Sequence, residues 1–366
     1  MRRLLRIILL KPVLWAAQKF SSKPDKNRIF KALSKLSSTI LTEPGKRGLV
    51  IPFEEQAGKF IIFSDQHKGA RNGADDFMLA EPNYLAALEH YNKNNFCFIS
   101  MGDNEELWEN SLTRVKKYNQ ATFEAEKKFI AKSKFVKIFG NHDLYWDNDP
   151  LAWFQLQNIY GEKIKVYEGV VLQTTFSNQQ SQLTIFLTHG HQGDASSDGN
   201  WFSKFFVARI WAPLQAFLKI NPNTPAYDAE RKTLHNSIMY EWSAQQDNML
   251  LITGHTHQPV FTSLTHLERL YRKLQGAKRD NDTKAITEIE TEIKKLEKNF
   301  AAISLDYLSM KPSYFNSGCC CFSDGDITGI EIADGFIRLI KWEMQNRISK
   351  RLVLEEISLK DLASQL

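Results

Sequence analysis

Five short apolar runs punctuate the sequence, and each ends in a polar cluster drawn from the same few residue types. Lys59–Ser64 runs into Asp65-Gln66-His67, Phe96–Ser100 into Gly102-Asp103-Asn104, and Phe135–Phe139 into Gly140-Asn141-His142-Asp143. Leu183–Thr188 runs into His189-Gly190-His191, and Met249–Thr253 into Gly254-His255-Thr256-His257. Each run has the length of a buried strand, and helix-length segments separate the first three, which predicts an α/β fold. Ligands in such folds bind beyond the carboxyl ends of strands. Strands that deliver polar residues at one end therefore predict a site as well as a sheet. Six of the nine histidines fall in these clusters, a concentration that scattered structural histidines would not produce.

The residue types suit a pair of divalent cations. Two ions ~3.5–4 Å apart can clamp a phosphate and the water that attacks it. A shared carboxylate neutralises both, and mixed nitrogen and oxygen donors suit manganese, iron or zinc. In Asp65-x-His67 and His255-x-His257 the paired side chains leave an extended chain on the same side, so both can reach one ion. The neighbouring glycines permit turns and close backbone approach.

In this order the clusters resemble the D-x-H, G-D, G-N-H-(D/E), H and G-H-x-H pattern of the calcineurin-like metallophosphoesterase superfamily, over residues 59–261. The resemblance implies an α/β chain folded as a two-sheet β-sandwich flanked by helices, here with helical insertions. It implies one metal held by Asp65, His67, Asp103 and His257, and a second held by Asp103, Asn141, His189 and His255, with Asp103 bridging. His142 would be the catalytic histidine, and Asp143 would orient its imidazole. The implied activity is hydrolysis of a phosphoester or pyrophosphate by a metal-bridging water, with two divalent ions as cofactors, manganese first and iron or zinc as alternatives. Within the superfamily, Gly102-Asp103-x-x-Glu106-x-Trp108, the G-H-T-H ending and an apolar insertion before Gly254 resemble the UDP-2,3-diacylglucosamine pyrophosphatase branch, which cleaves a pyrophosphate in a lipid precursor. That branch has Arg where this chain has His142. A nuclease of the same superfamily and a non-catalytic scaffold are the alternatives. His191, Arg71 and Lys68 are candidate substrate contacts, and Glu105 is expected at a helix N-terminus.

Charge divides the chain. The 366 residues sum to +5, but residues 1–49 carry +10 and the rest −5. This predicts a basic arm over 1–49, a catalytic domain over 50–345 and a tail over 346–366. An acidic body without a basic, aromatic-studded stripe speaks against nucleic acid and for a phosphorylated small molecule or lipid as substrate. Two insertions lengthen the domain. Residues 195–245 carry Trp201, Phe202, Phe205, Phe206 and Trp211 at helical spacing and suggest a packing helix or an apolar cap. Residues 264–300 carry the stripe Ile286, Ile289, Ile293, Leu296 and Phe300 and predict a charged helix pair. No run reaches the ~20 apolar residues of a spanning helix. The arm over 1–24 and the aromatics of 201–217 are expected to touch a membrane surface peripherally. Cys97 and the consecutive Cys319, Cys320 and Cys321 fit no disulfide or zinc framework. They suit a reducing compartment, hence a cytoplasmic body at the inner face of a membrane, with the triplet packed as small buried residues.

Overall fold

In this computed structural model, residues 11–12, 24–72, 75–176, 182–193, 229–296 and 309–366 are described. Their strands, in chain order, are β1 (Gly48–Glu54), β2 (Phe60–Phe63), β3 (Cys97–Met101), β4 (Phe135–Ile138), β5 (Val166–Tyr167), β6 (Gly169–Thr175) and β7 (Gln182–Thr188). They continue as β8 (Met249–Thr253), β9 (Val260–Phe261), β10 (Leu264–Thr265), β11 (Tyr314–Asn316), β12 (Ile327–Ala333), β13 (Phe336–Gln345) and β14 (Ile348–Ser358). The helices are α1 (Lys26–Thr42), α2 (Glu81–Lys93), α3 (Leu112–Tyr118), α4 (Gln120–Ile130), α5 (Tyr145–Asn148), α6 (Ala152–Tyr160), α7 (Ala229–Ala244), α8 (His266–Arg279), α9 (Thr283–Leu296) and α10 (Leu359–Gln365).

Two seven-stranded sheets face each other, one in the order β1-β6-β7-β8-β11-β9-β10 and the other β14-β13-β12-β2-β3-β4-β5. Strand alternation explains why the site-bearing runs are apolar throughout. Phe60 and Ile62 of β2 point between the sheets, with Ile99, Ile138, Leu187 and Ile252. Ile61 and Phe63 point outward, under Tyr84, Leu88 and Tyr91 of α2. In the first sheet, Leu250 and Ile252 face the interior while Leu251 and Phe186 pack against Leu33, Leu36 and Ile40 of α1 and Trp242 of α7. A strand covered on both faces has no polar face to show, so its sequence reads as a continuous apolar run. The architecture is the two-sheet α/β sandwich expected. The parallel pairs β2–β3, β3–β4, β7–β8 and β8–β11 send their carboxyl ends to one end of the molecule.

The expected boundaries change at both ends. The basic arm is only partly an arm. Its second half is α1, capped by the Asp25 side chain on Arg28 N–H, with Ile29, Leu33, Leu36 and Ile40 buried and Lys26, Arg28, Lys31 and Lys35 exposed. It leads into β1, which pairs in parallel with β6. Four of the arm's twelve basic residues therefore lie on the outer face of an amphipathic helix whose inner face belongs to the core. The tail over 346–366 is instead the edge strand β14, paired along β13, followed by α10 with Leu359 and Leu362 fully buried. The helix pair expected over 264–300 takes the form of α8 and α9, closed by Leu267, Leu270, Leu274 and Ile293, and Phe300 of its stripe lies outside the described residues. Residues 1–10, 13–23 and 194–228 lie outside the described residues, and with them most of the basic leader and the aromatic insertion. None of the described helices is long and apolar enough to cross a membrane.

Candidate metal centre

Each predicted ligand sits just past the carboxyl end of its strand. Asp65 and His67 follow β2, Asp103 follows β3, Asn141 and His142 follow β4, His189 follows β7, and His255 and His257 follow β8. The carboxylates thus come from one sheet and most of the imidazoles from the other, and the site spans the gap between them. The turns are tight. Asp65, His67, Asp103, His255 and His257 all have positive φ, between 49° and 67°. A non-glycine residue held there costs about 1–3 kcal/mol, and such outliers gather where function requires a geometry. Glycine is needed where these loops touch. A Cβ on Gly140 would lie 2.2 Å from Asp103 Oδ1, and one on Gly254 would lie 2.4 Å from Asp65 Oδ2.

The ligand atoms converge. His257 Nε2 lies 3.2 Å from Asp65 Oδ1 and 3.2 Å from His67 Nε2, and His67 Nε2 is 3.7 Å from Asp103 Oδ2. On the other side, His189 Nε2 lies 3.2 Å from Asp103 Oδ2 and 3.2 Å from Asn141 Oδ1. Asp103 thus stands between the two groups. Among the described residues, three sets of potential donors each fit within 4.8 Å: Asp103 with His189 and His255; His67 with Asp103 and His142; and His67 with His257 and Cys321. Both ring nitrogens of His255 are buried without a hydrogen-bond partner, as is His142 Nε2. Burying an unpaired polar atom costs ~1–3 kcal/mol, and ligation of one His255 nitrogen to a cation would satisfy it. The donor set fits two divalent ions.

The electrostatics divide the predicted ligands. Burial opposes protonation of His189 and His257, but Asp103 lifts His189 to about 9, and Cys319 and Asp65 lift His257 well above its ordinary value, so a bound cation would have to displace their protons. Burial alone would raise the Asp103 carboxyl, but His189, His142 and His67 hold it well below the usual carboxylate range. Burial likewise opposes ionisation of Asp65, and His257 and His189 outweigh it, so both acids are anionic. His255 is pushed well down, first by burial and then by His235 and His189, so its imidazole is neutral and free to donate a lone pair.

Not every expected role survives. His142 is oriented by Glu106, not by Asp143. Glu106 Oε2 lies 2.7 Å from His142 Nδ1 and 3.0 Å from His67 Nδ1. Asp143 turns the other way and accepts from the N–H of Gly140 at 2.5 Å, the N–H of Asn104 at 2.9 Å and Asn104 Nδ2 at 3.0 Å. It has backbone donors on the β3 and β4 loops to satisfy, and the imidazole already has a carboxylate. Lys68 is no substrate contact. It is wholly buried, with Nζ 2.7 Å from Glu126 and 3.1 Å from Glu105. Glu105 in turn takes Lys137 at 2.9 Å and Trp146 Nε1 at 2.7 Å, so it is the hub of a buried ion network and caps no helix. Arg71 turns its guanidinium to Glu81 at 2.5 Å and to the Tyr118 carbonyl at 3.2 Å. His191 is buried against His189 and Phe139, with ring centroids 5.5 and 5.9 Å away.

Other residues at the site went unassigned in the sequence. Trp108 stacks on His142 at 4.0 Å and 22° between planes. His235 of α7 lies 5.1 Å from the His255 ring and 2.9 Å from the Gly190 carbonyl. Cys321 Sγ lies 3.6 Å from His257 Nδ1. The spacing of the Cys triplet gives no metal signature. The rule about strand ends would have found it, because β11 runs parallel to β8 and empties at the same end.

The model of the calcineurin-like phosphoesterase family matches residues 58–259. Among solved structures, the chain is similar to Vacuolar Protein Sorting 29 from Cryptosporidium parvum, at 12% identity, 83% of this chain, 99% of that chain and a TM-score of 0.32. It is similar to a single mutant of Vps29 from Entamoeba histolytica at 12% identity, 81% of this chain, 99% of that chain and a TM-score of 0.31. A search of curated proteins finds no match.

Proposed function

Because the chain belongs to the calcineurin-like phosphoesterase family, we propose that it hydrolyses a phosphoester or pyrophosphate bond with the help of two divalent ions held between its sheets. The observation that carries this reading is the set of buried donor atoms left facing one another, above all the two unpartnered nitrogens of His255 beside Asp103 and His189. Asp65, His67, Asp103 and His257 would hold one ion, and Asp103, Asn141, His189 and His255 the other, with manganese the metal to try first. Bound there, such ions supply polarisation of a phosphoryl oxygen and acidification of water.

The chain's own residues do the rest. Glu106 accepts from His142 Nδ1 and fixes the ring, and Trp108 covers one face of it. The unpartnered His142 Nε2 is then the atom that hands a proton to the leaving oxygen. Asp143 ties the Gly140 and Asn104 backbones together and so holds the loops that carry His142 and Asp103 in register.

One surface observation favours an amphiphilic substrate, in line with the lipid-precursor pyrophosphatase resemblance. Leu151, Trp153 and Phe154, around the start of α6, are 58%, 55% and 47% exposed. They follow the His142 loop closely in the chain, where an acyl or prenyl group could rest. The test is a phosphate-release screen with manganese over aryl phosphodiesters, nucleotides, sugar nucleotides and lipid-linked pyrophosphates. Hydrolysis that Asp103→Ala abolishes, with metal content falling from close to two ions per chain, supports the reading. A manganese-replete protein with no ion bound would sink it.

A further inference from the structure

Three of the four ligand histidines of the centre share a pattern, His255 being the exception. A metal-binding imidazole presents one nitrogen to the ion and hands the other N–H to an acceptor, which fixes the tautomer and the ring plane. His67 gives Nδ1 to a carboxylate, Glu106 Oε2, at 3.0 Å. His189 gives Nδ1 to a carbonyl, Met101 O, at 3.1 Å. His257 points Nε2 at Asp65 Oδ1 and has a sulfur at its Nδ1, Cys321 Sγ, at 3.6 Å. That separation is within the range of a hydrogen bond to sulfur, whose radius is larger than oxygen's.

The thiol is placed there by the fold. β11 lies beside β8 in parallel, so the chain beyond Asn316 leaves the sheet next to the His255–His257 loop. The Cys320 N–H donates to the Asp65 carbonyl at 3.1 Å, which pins the cysteine loop to the loop that supplies Asp65 and His67. The Thr328 N–H donates to the Cys319 carbonyl at 3.0 Å from the other side. Pinned in this way, the three thiols take different neighbours, and Cys319 reaches both the Cys321 thiol and His257. Cys320 packs into the apolar layer with Ile61 and Phe63, while Cys321 is half-buried at the centre.

We propose that Cys321 is a positioning residue for the metal centre: its sulfur accepts the Nδ1–H of His257 and so turns Nε2 toward the ion shared with Asp65, His67 and Asp103. This rests on the two-ion reading of the site. The role is confined to one ion, because His189 and Asn141 reach the other without any contact to Cys321. Removing an outer partner of this kind costs about 10–100-fold in affinity for the metal.

The experiment is cobalt(II) titration of the full-length metal-free protein, read by visible ligand-field absorption and by the imidazole N–H resonances in NMR. Wild type should bind two ions and show a hydrogen-bonded His257 Nδ1–H resonance, with no intense near-ultraviolet sulfur-to-cobalt band. Cys321→Val should weaken one of the two ions by about 10–100-fold and leave the other unchanged. Cys321→Ser keeps an acceptor and should recover most of the loss. Cys97→Ser, at the amino end of β3 and away from the centre, should leave both affinities near wild type. Two ions bound by Cys321→Val as tightly as by wild type would overturn the proposal. So would an intense sulfur-to-cobalt band in wild type, which would make Cys321 a direct ligand. The wild-type spectra decide that point even if a variant fails to fold. A wild-type protein that takes up no cobalt would overturn the two-ion reading itself, a result distinct from either of the others.

Discussion

At the scale of single residues, the division of labour between Glu106 and Asp143 decides how His142 is held. Glu106 is shared by His142 and His67, so it links the imidazole that would move a proton to one that would hold an ion. Asp143 touches neither. Glu106→Gln keeps the volume but puts an amide where two imidazoles require an anion. It should lower kcat by about 10–100-fold while leaving the melting temperature near wild type. Asp143→Asn should do the opposite. It leaves a buried backbone N–H of Gly140 or Asn104 badly matched, and should cost ~1–3 kcal/mol in urea unfolding with a smaller loss of kcat per folded molecule. Equal kcat losses would show that the two acids share the orienting role. The residues that meet at the centre were legible in the sequence because each follows an apolar run of strand length. The outer partners were not. Glu106 lies three residues beyond Asp103, and nothing in that spacing says that the chain bridges back to two histidines from other strands.

At the scale of elements, the misread segments share a physical cause. Lys68 and Glu105 follow site residues and carry charge, so their sequence context suggests solvent or substrate. The isolated bridge between these two residues instead lays the β2 and β3 loops side by side. That directs both side chains under the site, where Glu126 of α4 and Lys137 of β4 meet them. Four buried charges that neutralise one another carry no hydropathy signal. The network predicts a stability phenotype rather than a catalytic one. Lys68→Met leaves Glu126 without its ion partner and should cost ~3–5 kcal/mol. Joining it with Glu126→Leu should recover much of that loss, since replacing both members of a buried pair is often neutral. Urea titrations of the two singles and the double measure the coupling. A KM rise in Lys68→Met without loss of stability would restore the substrate-contact reading. β11 differs: the run beginning Tyr314-Phe315 reads as a closing strand, but its place does not, because its partner β8 lies some sixty residues earlier.

At the scale of the whole molecule, the centre is a joint between two sheets. Asp65, Asp103 and Asn141 hang from one sheet and His189, His255 and His257 from the other, while the apolar core that holds the sheets together lies behind them. Ions that bind this arrangement bind only the folded chain, because the unfolded chain does not bring the two sets together. Ligation must therefore stabilise the fold by mass action, by about 2.7 kcal/mol for each ion at a concentration a hundredfold above its dissociation constant. It also relieves the cost of one buried unpartnered nitrogen of His255. Chelator treatment should lower the melting temperature, and manganese or zinc should restore it in a concentration-dependent way. Asp103→Asn separates this effect from ordinary packing. The substitution is nearly isosteric and removes one of the carboxylates crowded at the joint, so the metal-free variant should melt close to metal-free wild type. Its gain on adding metal should be largely lost, because the anion shared by both ions is gone. If instead the variant gained as much as wild type, the ions would be binding elsewhere and the joint would be held by its core alone.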